Sequence, residues 1–124
     1  MIRQRISRPV FAIVGLFCLA GIVPLVMFFS REPAVAMIMS IYVTMGIFLL
    51  LAVPDPAAHR SFILFAGWAN VAHAGVMAVQ EYLRVIKPQE WVGVVLFGVI
   101  GVGLIVLTPL KQSATQASAA GATR

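Results

Sequence analysis

The stretch PVFAIVGLFCLAGIVPLVMFFS, residues Pro9–Ser30, contains no Asp, Glu, Lys or Arg and indicates the fold class of the whole chain. Three further runs share this property: Ala34–Val53, Ser61–Gln80 and Trp91–Leu110. Each has about the 20 residues that a helix needs to cross roughly 30 Å of hydrocarbon. Because backbone polar groups in a bilayer must be satisfied within the segment, we interpret these runs as spans 1 to 4 of an all-α membrane protein.

Prolines mark the expected helix boundaries. Each span has one at or just before its first turn, where a missing N–H costs nothing: Pro9, Pro33, Pro56 and Pro88. These positions predict transmembrane helices over about 9–30, 33–53, 56–84 and 88–110. Pro24 lies in the interior of span 1, where we expect it to distort the helix.

Short connections between the spans predict an up-down-up-down antiparallel bundle. The chain has 124 residues and 61% hydrophobic content, so it leaves no room for a soluble domain beside the bundle. We therefore assign residues 1–110 to one transmembrane domain. The small polar residues of 111–124 predict a disordered cytoplasmic tail.

The net charge of +5 comes from Lys and Arg residues scattered over ends and loops, without the basic face that nucleic acid requires. We therefore expect no nucleic-acid partner and use these charges to predict orientation. Six of the nine precede span 1, lie between spans 2 and 3, or follow span 4. Since positive loops favour the cytoplasm, both termini should be cytoplasmic, although a six-to-three margin leaves dual topology open.

Span 3 carries most of the polar side chains expected inside the membrane. At 100° per residue, one side of its helix collects Asn70, His73, Met77, Gln80 and Arg84. The opposite side is bulky and apolar: Phe65, Trp68, Val76, Val79 and Leu83. Because polar groups are costly in lipid and small residues permit close helix approach, the polar side should face the bundle interior.

Span 2 offers a second set of candidates. Met37, Ser40 and Thr44 follow i, i+3 and i+7 spacing, which predicts a stripe that faces span 3. Polar groups at membrane depth are functional-site hypotheses by default. The candidate ligand or polar-core residues are Asn70, His73, Met77, Gln80, Ser40 and Thr44. The alternative is that they only form interhelical hydrogen bonds, worth about 0.6 kcal/mol each on average.

No catalytic residue, metal ligand or cofactor is predicted. Catalysis needs a nucleophile with a base, or a metal with several ligands, and the spans hold too few such groups. Cys18 is the single cysteine and is interpreted as a packing residue. Asp55 directly precedes Pro56 and is interpreted as a helix cap.

The segment WANVAHAGVMAVQ, residues Trp68–Gln80, carries a family resemblance. It resembles the third-helix segment of a family of small bacterial four-helix membrane proteins of unknown function, in which a tryptophan is followed by a His-Ala pair, a Met and a Gln. The resemblance implies a bacterial inner-membrane location and supplies no activity. Small multidrug exporters are similar in length and span count, but their glutamate in the first helix has no counterpart here.

Two functions fit these observations. The first is an accessory subunit or small-ligand-binding membrane module, which contacts the lipid bilayer and works in a homo-oligomer or a larger membrane complex. The alternative is an oligomeric transporter or channel for small molecules or ions, with its path along the polar side of span 3. The two predict different environments for Asn70 and His73, dry in a packed module and wet along a path.

Overall fold

The computed structural model describes the backbone of residues 2–110 and the side chains of residues 5–110. All regular secondary structure in this part of the chain is helical. It contains four spans long and apolar enough to cross a membrane: Arg5–Phe28, Pro33–Ala52, Arg60–Tyr82 and Pro88–Leu107. The predicted all-α, four-span fold is confirmed. The predicted tail, 111–124, lies outside the described residues.

The spans are built from consecutive helices along residues 2–110. Span 1 consists of α1 (Ile2–Leu19) and α2 (Ile22–Phe28), span 2 is α3 (Pro33–Ala52), and span 3 is α4 (Arg60–Tyr82). A 3-10 turn (Pro88–Glu90) leads directly into α5 (Trp91–Leu107), and together they form span 4.

Pro24 explains the break between α1 and α2. A proline ring clashes with the carbonyl of residue i−4, here Ala20, and has no N–H to bond it. The backbone tightens at this point, since Gly21 N–H donates to Cys18 O at 3.0 Å and Val23 N–H donates to Ala20 O at 3.1 Å. The distortion expected from Pro24 is therefore a short turn at Ala20 and Gly21, which separates α1 from α2 within span 1.

Two other prolines do not start helices, contrary to the sequence-based prediction. Helix α1 already begins at Ile2, so Pro9 lies inside it. The preceding residues include Arg and Gln, which favour helix, and they extend α1 beyond the apolar run. Pro56 lies in a turn before α4 begins at Arg60. Asp55 Oδ1 accepts a hydrogen bond from Ala58 N–H at 3.3 Å, so Asp55 caps this turn rather than a helix.

Helix α4 ends at Tyr82, earlier than predicted, because the chain turns sharply at Arg84. Arg84 has a φ of 57°, in the left-handed region. Its N–H donates to Glu81 O at 2.9 Å, and Val85 N–H donates to Gln80 O at 2.8 Å. This pair of bonds satisfies the last carbonyls of a helix. Arg84 therefore lies outside the polar side of span 3 to which it was assigned.

The helices pack as two hairpins. Helices α1 and α2 pack against α3 in the N-terminal hairpin, and α4 packs against α5 in the C-terminal hairpin, while contacts between the hairpins are sparse. Each hairpin has one close backbone approach between two glycines. A Cβ on Gly46 would lie 2.7 Å from Gly15 O, and a Cβ on Gly101 would lie 2.7 Å from Gly67 O. Such approaches are possible because glycine has no side chain.

One apolar core joins the hairpins near the turn between α3 and α4. Its fully buried members come from all four spans: Phe11, Leu49, Ala52, Ile63, Ala66 and Leu104. Toward the opposite end of the bundle, interior side chains such as Met77 and Phe97 are only half-buried. The bundle is therefore closed near the turn and more open toward the end where α4 meets the 3-10 turn.

Candidate ligand site between the two hairpins

Three aromatic rings from three helices meet where the hairpins face each other. The centroid of the His73 ring on α4 lies 5.5 Å from that of Tyr42 on α3 and 4.7 Å from that of Phe97 on α5. Tyr42 and Phe97 lie 5.3 Å apart. Both contacts of His73 are edge-to-face, a geometry that contributes about 0.5–1.5 kcal/mol beyond area burial. We call Tyr42, His73 and Phe97 the ring cluster.

A cavity of about 200 Å³ lies beside the ring cluster, at the break in span 1. It is lined by Phe17, Cys18, Ala20, Gly21, Pro24, Met39, Tyr42 and Phe97. Tyr42 and Phe97 belong to different hairpins, so both hairpins contribute to its wall. The lining is apolar apart from the Tyr42 hydroxyl, the Cys18 thiol and the backbone. Such a lining suits an apolar group, with a few polar atoms to orient it.

Asn70 lies one helical turn from His73 and is completely buried. Its Nδ2 donates to Ala66 O at 2.7 Å in its own helix and contacts Met45 Sδ at 3.6 Å. This donation fixes the orientation of the amide, because the flipped form would place two acceptors together. Asn70 Oδ1 has no hydrogen-bond partner among the described residues. The carboxamide therefore contributes little hydrogen bonding between helices.

The other predicted residues of α4 lie on the same side at different depths. His73, Met77 and Gln80 are half-buried. Met77 packs toward α5, where its Cε would lie 2.8 Å from a Cβ on Gly93. The opposite side of α4 is exposed as predicted, with Trp68 61% and Val76 59% accessible. The helical phase predicted for span 3 is therefore correct.

The predicted stripe of span 2 does not face the polar side of α4. Ser40 Oγ donates to Met37 O at 2.6 Å, and Thr44 Oγ1 donates to Ser40 O at 2.9 Å. Both hydroxyls are satisfied within α3, so these side chains can lie on its exposed face. They line a groove of about 360 Å³ between α3 and α4. Met45 lines the same groove and contacts Asn70, so it lies between Asn70 and the two hydroxyls.

No residue that lines the cavity at the break in span 1 was among the candidates predicted from sequence. Of these, Tyr42 and Phe97 are the two that bring the two hairpins together. Tyr42 lies near the middle of α3, far from the membrane interfaces where tyrosine is enriched. This position in the middle of a span is the feature of the sequence from which a role for Tyr42 could have been predicted. Phe97 carries no signal that separates it from other phenylalanines in apolar spans. Among the described residues, no group of three or more His, Cys, Asp or Glu side chains could hold a metal ion.

The helical spans define a multi-pass membrane protein. A family of unknown function (DUF6632) matches residues 12–123, and the chain belongs to this family. The match covers most of the chain and includes the segment on which the resemblance to a small family of unknown function was based. That expectation is confirmed. No curated protein and no solved structure matches the chain.

Proposed function

We propose that this protein is a non-catalytic membrane module that binds a small apolar or amphiphilic molecule between its two hairpins. The observation that carries the proposal is the cavity at the break in span 1, because its wall includes Tyr42 from one hairpin and Phe97 from the other. A molecule bound there contacts both hairpins at once. Binding should therefore strengthen an interface that has few contacts of its own.

The chemistry of the lining restricts the ligand. Aromatic and thioether side chains at Phe17, Met39 and Phe97 favour an apolar ring or a short alkyl segment. The Tyr42 hydroxyl can donate a hydrogen bond to, or accept one from, a single polar group on that ligand. The volume of about 200 Å³ admits a small molecule or one end of a longer one.

The transporter alternative has less support. Asn70 is completely buried, and the half-buried His73 ring packs against Tyr42 and Phe97. The core around Leu49 and Ile63 also fills the space between the hairpins on the side toward the α3–α4 turn. A path through one chain would have to separate these side chains. A path formed between several copies of the chain stays a prediction.

We also propose the membrane in which this module lies, its orientation and its partners. The resemblance of Trp68–Gln80 to bacterial proteins supports the bacterial inner membrane, and the distribution of Lys and Arg supports cytoplasmic termini. The bulky exposed face of α4, with Phe65 and Trp68, fits either lipid or another subunit. We propose an accessory role in a homo-oligomer or a larger membrane complex, with the lipid bilayer as immediate surroundings.

Photolabelling with a small aryl diazirine in lipid nanodiscs tests the ligand site. Labelling mapped by peptide mass spectrometry should saturate with probe concentration at Cys18, Met39 and Tyr42. It should rise linearly at lipid-facing positions such as Val99, which is 66% exposed. Linear labelling at the cavity residues would contradict a site.

A matched pair of variants sharpens this test. Ala20→Phe places a ring in the cavity and should abolish saturable labelling, because Ala20 lines it. Ala72→Phe adds the same ring on an exposed position of α4 and should leave the labelling unchanged. Equal labelling of both variants would contradict the assignment of the site to this cavity.

A further inference from the structure

A larger cavity, of about 680 Å³, opens at the end of the bundle that holds the α3–α4 turn. It is lined by Arg5, Ser7, Arg8, Asp55, Pro56, Ala57 and Pro109. These residues belong to α1, to the α3–α4 turn and to the segment that follows α5. The fold thus brings three separate segments together around one polar opening.

The charge around this cavity is mainly positive. Arg5 and Arg8 are exposed and have i, i+3 spacing on α1, so their side chains share one face. Arg60 Nε donates to Pro109 O at 2.9 Å, which holds a third guanidinium next to a residue of the lining. Asp55 is the carboxylate of the lining, and its Oδ1 accepts a hydrogen bond from Ala58 N–H. Two arginines and one carboxylate therefore line the cavity, and a third guanidinium is bonded to Pro109 of the lining.

The depth of the cavity suits the headgroup layer of a membrane. Arg8 directly precedes the apolar run that begins at Pro9. The other two segments of the lining, the α3–α4 turn and the residues after α5, follow the candidate spans that end at Ala52 and Leu107. Phospholipid phosphates lie at this boundary. A guanidinium offers a planar fork of donors that matches a phosphate group in bidentate geometry.

We propose that Arg5 and Arg8 bind a phosphate group in this cavity, with the Arg60 guanidinium adding to the positive field. The preference of positive residues for one side of a membrane accounts for how many arginines lie here. It does not account for their position around a cavity that three segments build. The same chemistry could recognise the headgroup of a phospholipid or free inorganic phosphate.

Native mass spectrometry of the full chain during stepwise delipidation tests the proposal. The wild type should retain phosphatidylglycerol at least about tenfold better than a diacylglycerol glycolipid without phosphate. The double variant Arg5→Gln/Arg8→Gln should lose this preference, and Arg5→Lys/Arg8→Lys should keep part of it because the charges remain. Equal retention of the two lipids by the wild type would overturn the proposal.

A charge-matched control separates a site from general attraction. Arg31→Gln/Arg84→Gln removes the same charge at the other end of the bundle and should retain phosphatidylglycerol like the wild type. Equal losses in both double variants would overturn the proposal. Circular dichroism should give equal helix content for all variants, so that a loss of lipid reflects the site.

A competition arm identifies the source of the phosphate. Displacement of bound phosphatidylglycerol by millimolar inorganic phosphate, with no effect of equimolar chloride, assigns the site to free phosphate. Persistence of the bound lipid assigns it to a headgroup, and either result supports phosphate binding. Asp55→Asn retains the acceptor for Ala58 N–H while removing the negative charge, so it should increase lipid retention. A decrease would count against the proposed role of charge.

Discussion

The amide nitrogen of Asn70 on α4 lies 3.6 Å from the sulfur of Met45 on α3. The Asn70 side chain is completely buried. Among the described residues, its hydrogen bonds are this weak contact and the bond to Ala66 O. A thioether sulfur is a weak acceptor, so Asn70 adds little to the cohesion of the two hairpins. The packing of apolar side chains and the ring cluster contribute more at this level of the bundle.

Replacement of Asn70 by leucine should leave the free energy of unfolding unchanged or raise it. The change removes a carboxamide oxygen that has no hydrogen-bond partner among the described residues, and such a buried group costs about 1–3 kcal/mol. Thermal unfolding in detergent, followed by circular dichroism, measures the effect. Asn70→Ala is the comparison and should be less stable than Asn70→Leu, because it leaves a void. A loss of more than about 2 kcal/mol in Asn70→Leu would instead indicate that Oδ1 has a bound donor.

Alanine at the two glycine crossings should destabilise the protein. A Cβ at Gly46 or Gly101 meets backbone atoms at 2.7 Å, so the helices must move apart. We expect each substitution to cost about 1–3 kcal/mol in the same unfolding assay. Gly75→Ala and Gly103→Ala are matched controls, because a Cβ at these positions would meet no atom of a packed neighbour within 4 Å. A similar loss in crossing and control variants would show that helix contact is not the cause.

Glycine at residue 84 should stabilise the end of α4. Arg84 has a φ of 57°, and a left-handed conformation costs a residue with a side chain roughly 1–2 kcal/mol. Glycine removes this cost but adds flexibility to the unfolded chain, so we expect a net gain of about 0.5–1 kcal/mol. Leu83→Gly is the control. Because Leu83 has a φ of −80°, glycine relieves no strain there, and this variant should be less stable than the wild type. A less stable Arg84→Gly variant would indicate that the arginine side chain compensates for the strain.

Alanine in place of Pro24 should make span 1 continuous and remove the ligand cavity. The new N–H can donate to Ala20 O, which now accepts its bond from Val23. Saturable diazirine labelling at Cys18 should disappear, while helix content rises slightly. Pro33→Ala is the control, because Pro33 occupies the first turn of α3, where an N–H has no partner in the helix. Unchanged labelling in Pro24→Ala would show that the cavity does not depend on the break.

Reporter proteins placed at the two ends of the bundle should be found on opposite sides of the membrane. A fusion after residue 124 should report the cytoplasm, and an insertion between Tyr82 and Pro88 should report the opposite side. The reason is the six-to-three distribution of Lys and Arg residues. The same compartment for both positions would contradict four spans. A mixed signal from each position would indicate dual topology.

Sequence patterns predicted the fold and one helical face well because the relevant signals are strong. Uninterrupted apolar runs determine the spans. The polar Asn70 and the bulky Trp68 lie on opposite sides of α4, which indicates which side faces the bundle interior. Helix α3 has apolar residues on all sides, so its phase could not be read from polarity. Its orientation follows from the close approach of Gly46 to Gly15, which is a property of two helices together. For this reason the sequence did not predict that Ser40 and Thr44 share a groove with Phe62 and Phe65 rather than face Asn70.

The division into two hairpins bears on how the protein is made. Each glycine crossing joins helices of the same hairpin, so most of its packing can form as soon as that hairpin has emerged from the ribosome. We expect the N-terminal pair to enter the bilayer as one unit while the C-terminal pair is still being synthesised. The late step of assembly is then the meeting of two preformed pairs. A bound small molecule would be captured at that step, when Tyr42 first meets Phe97.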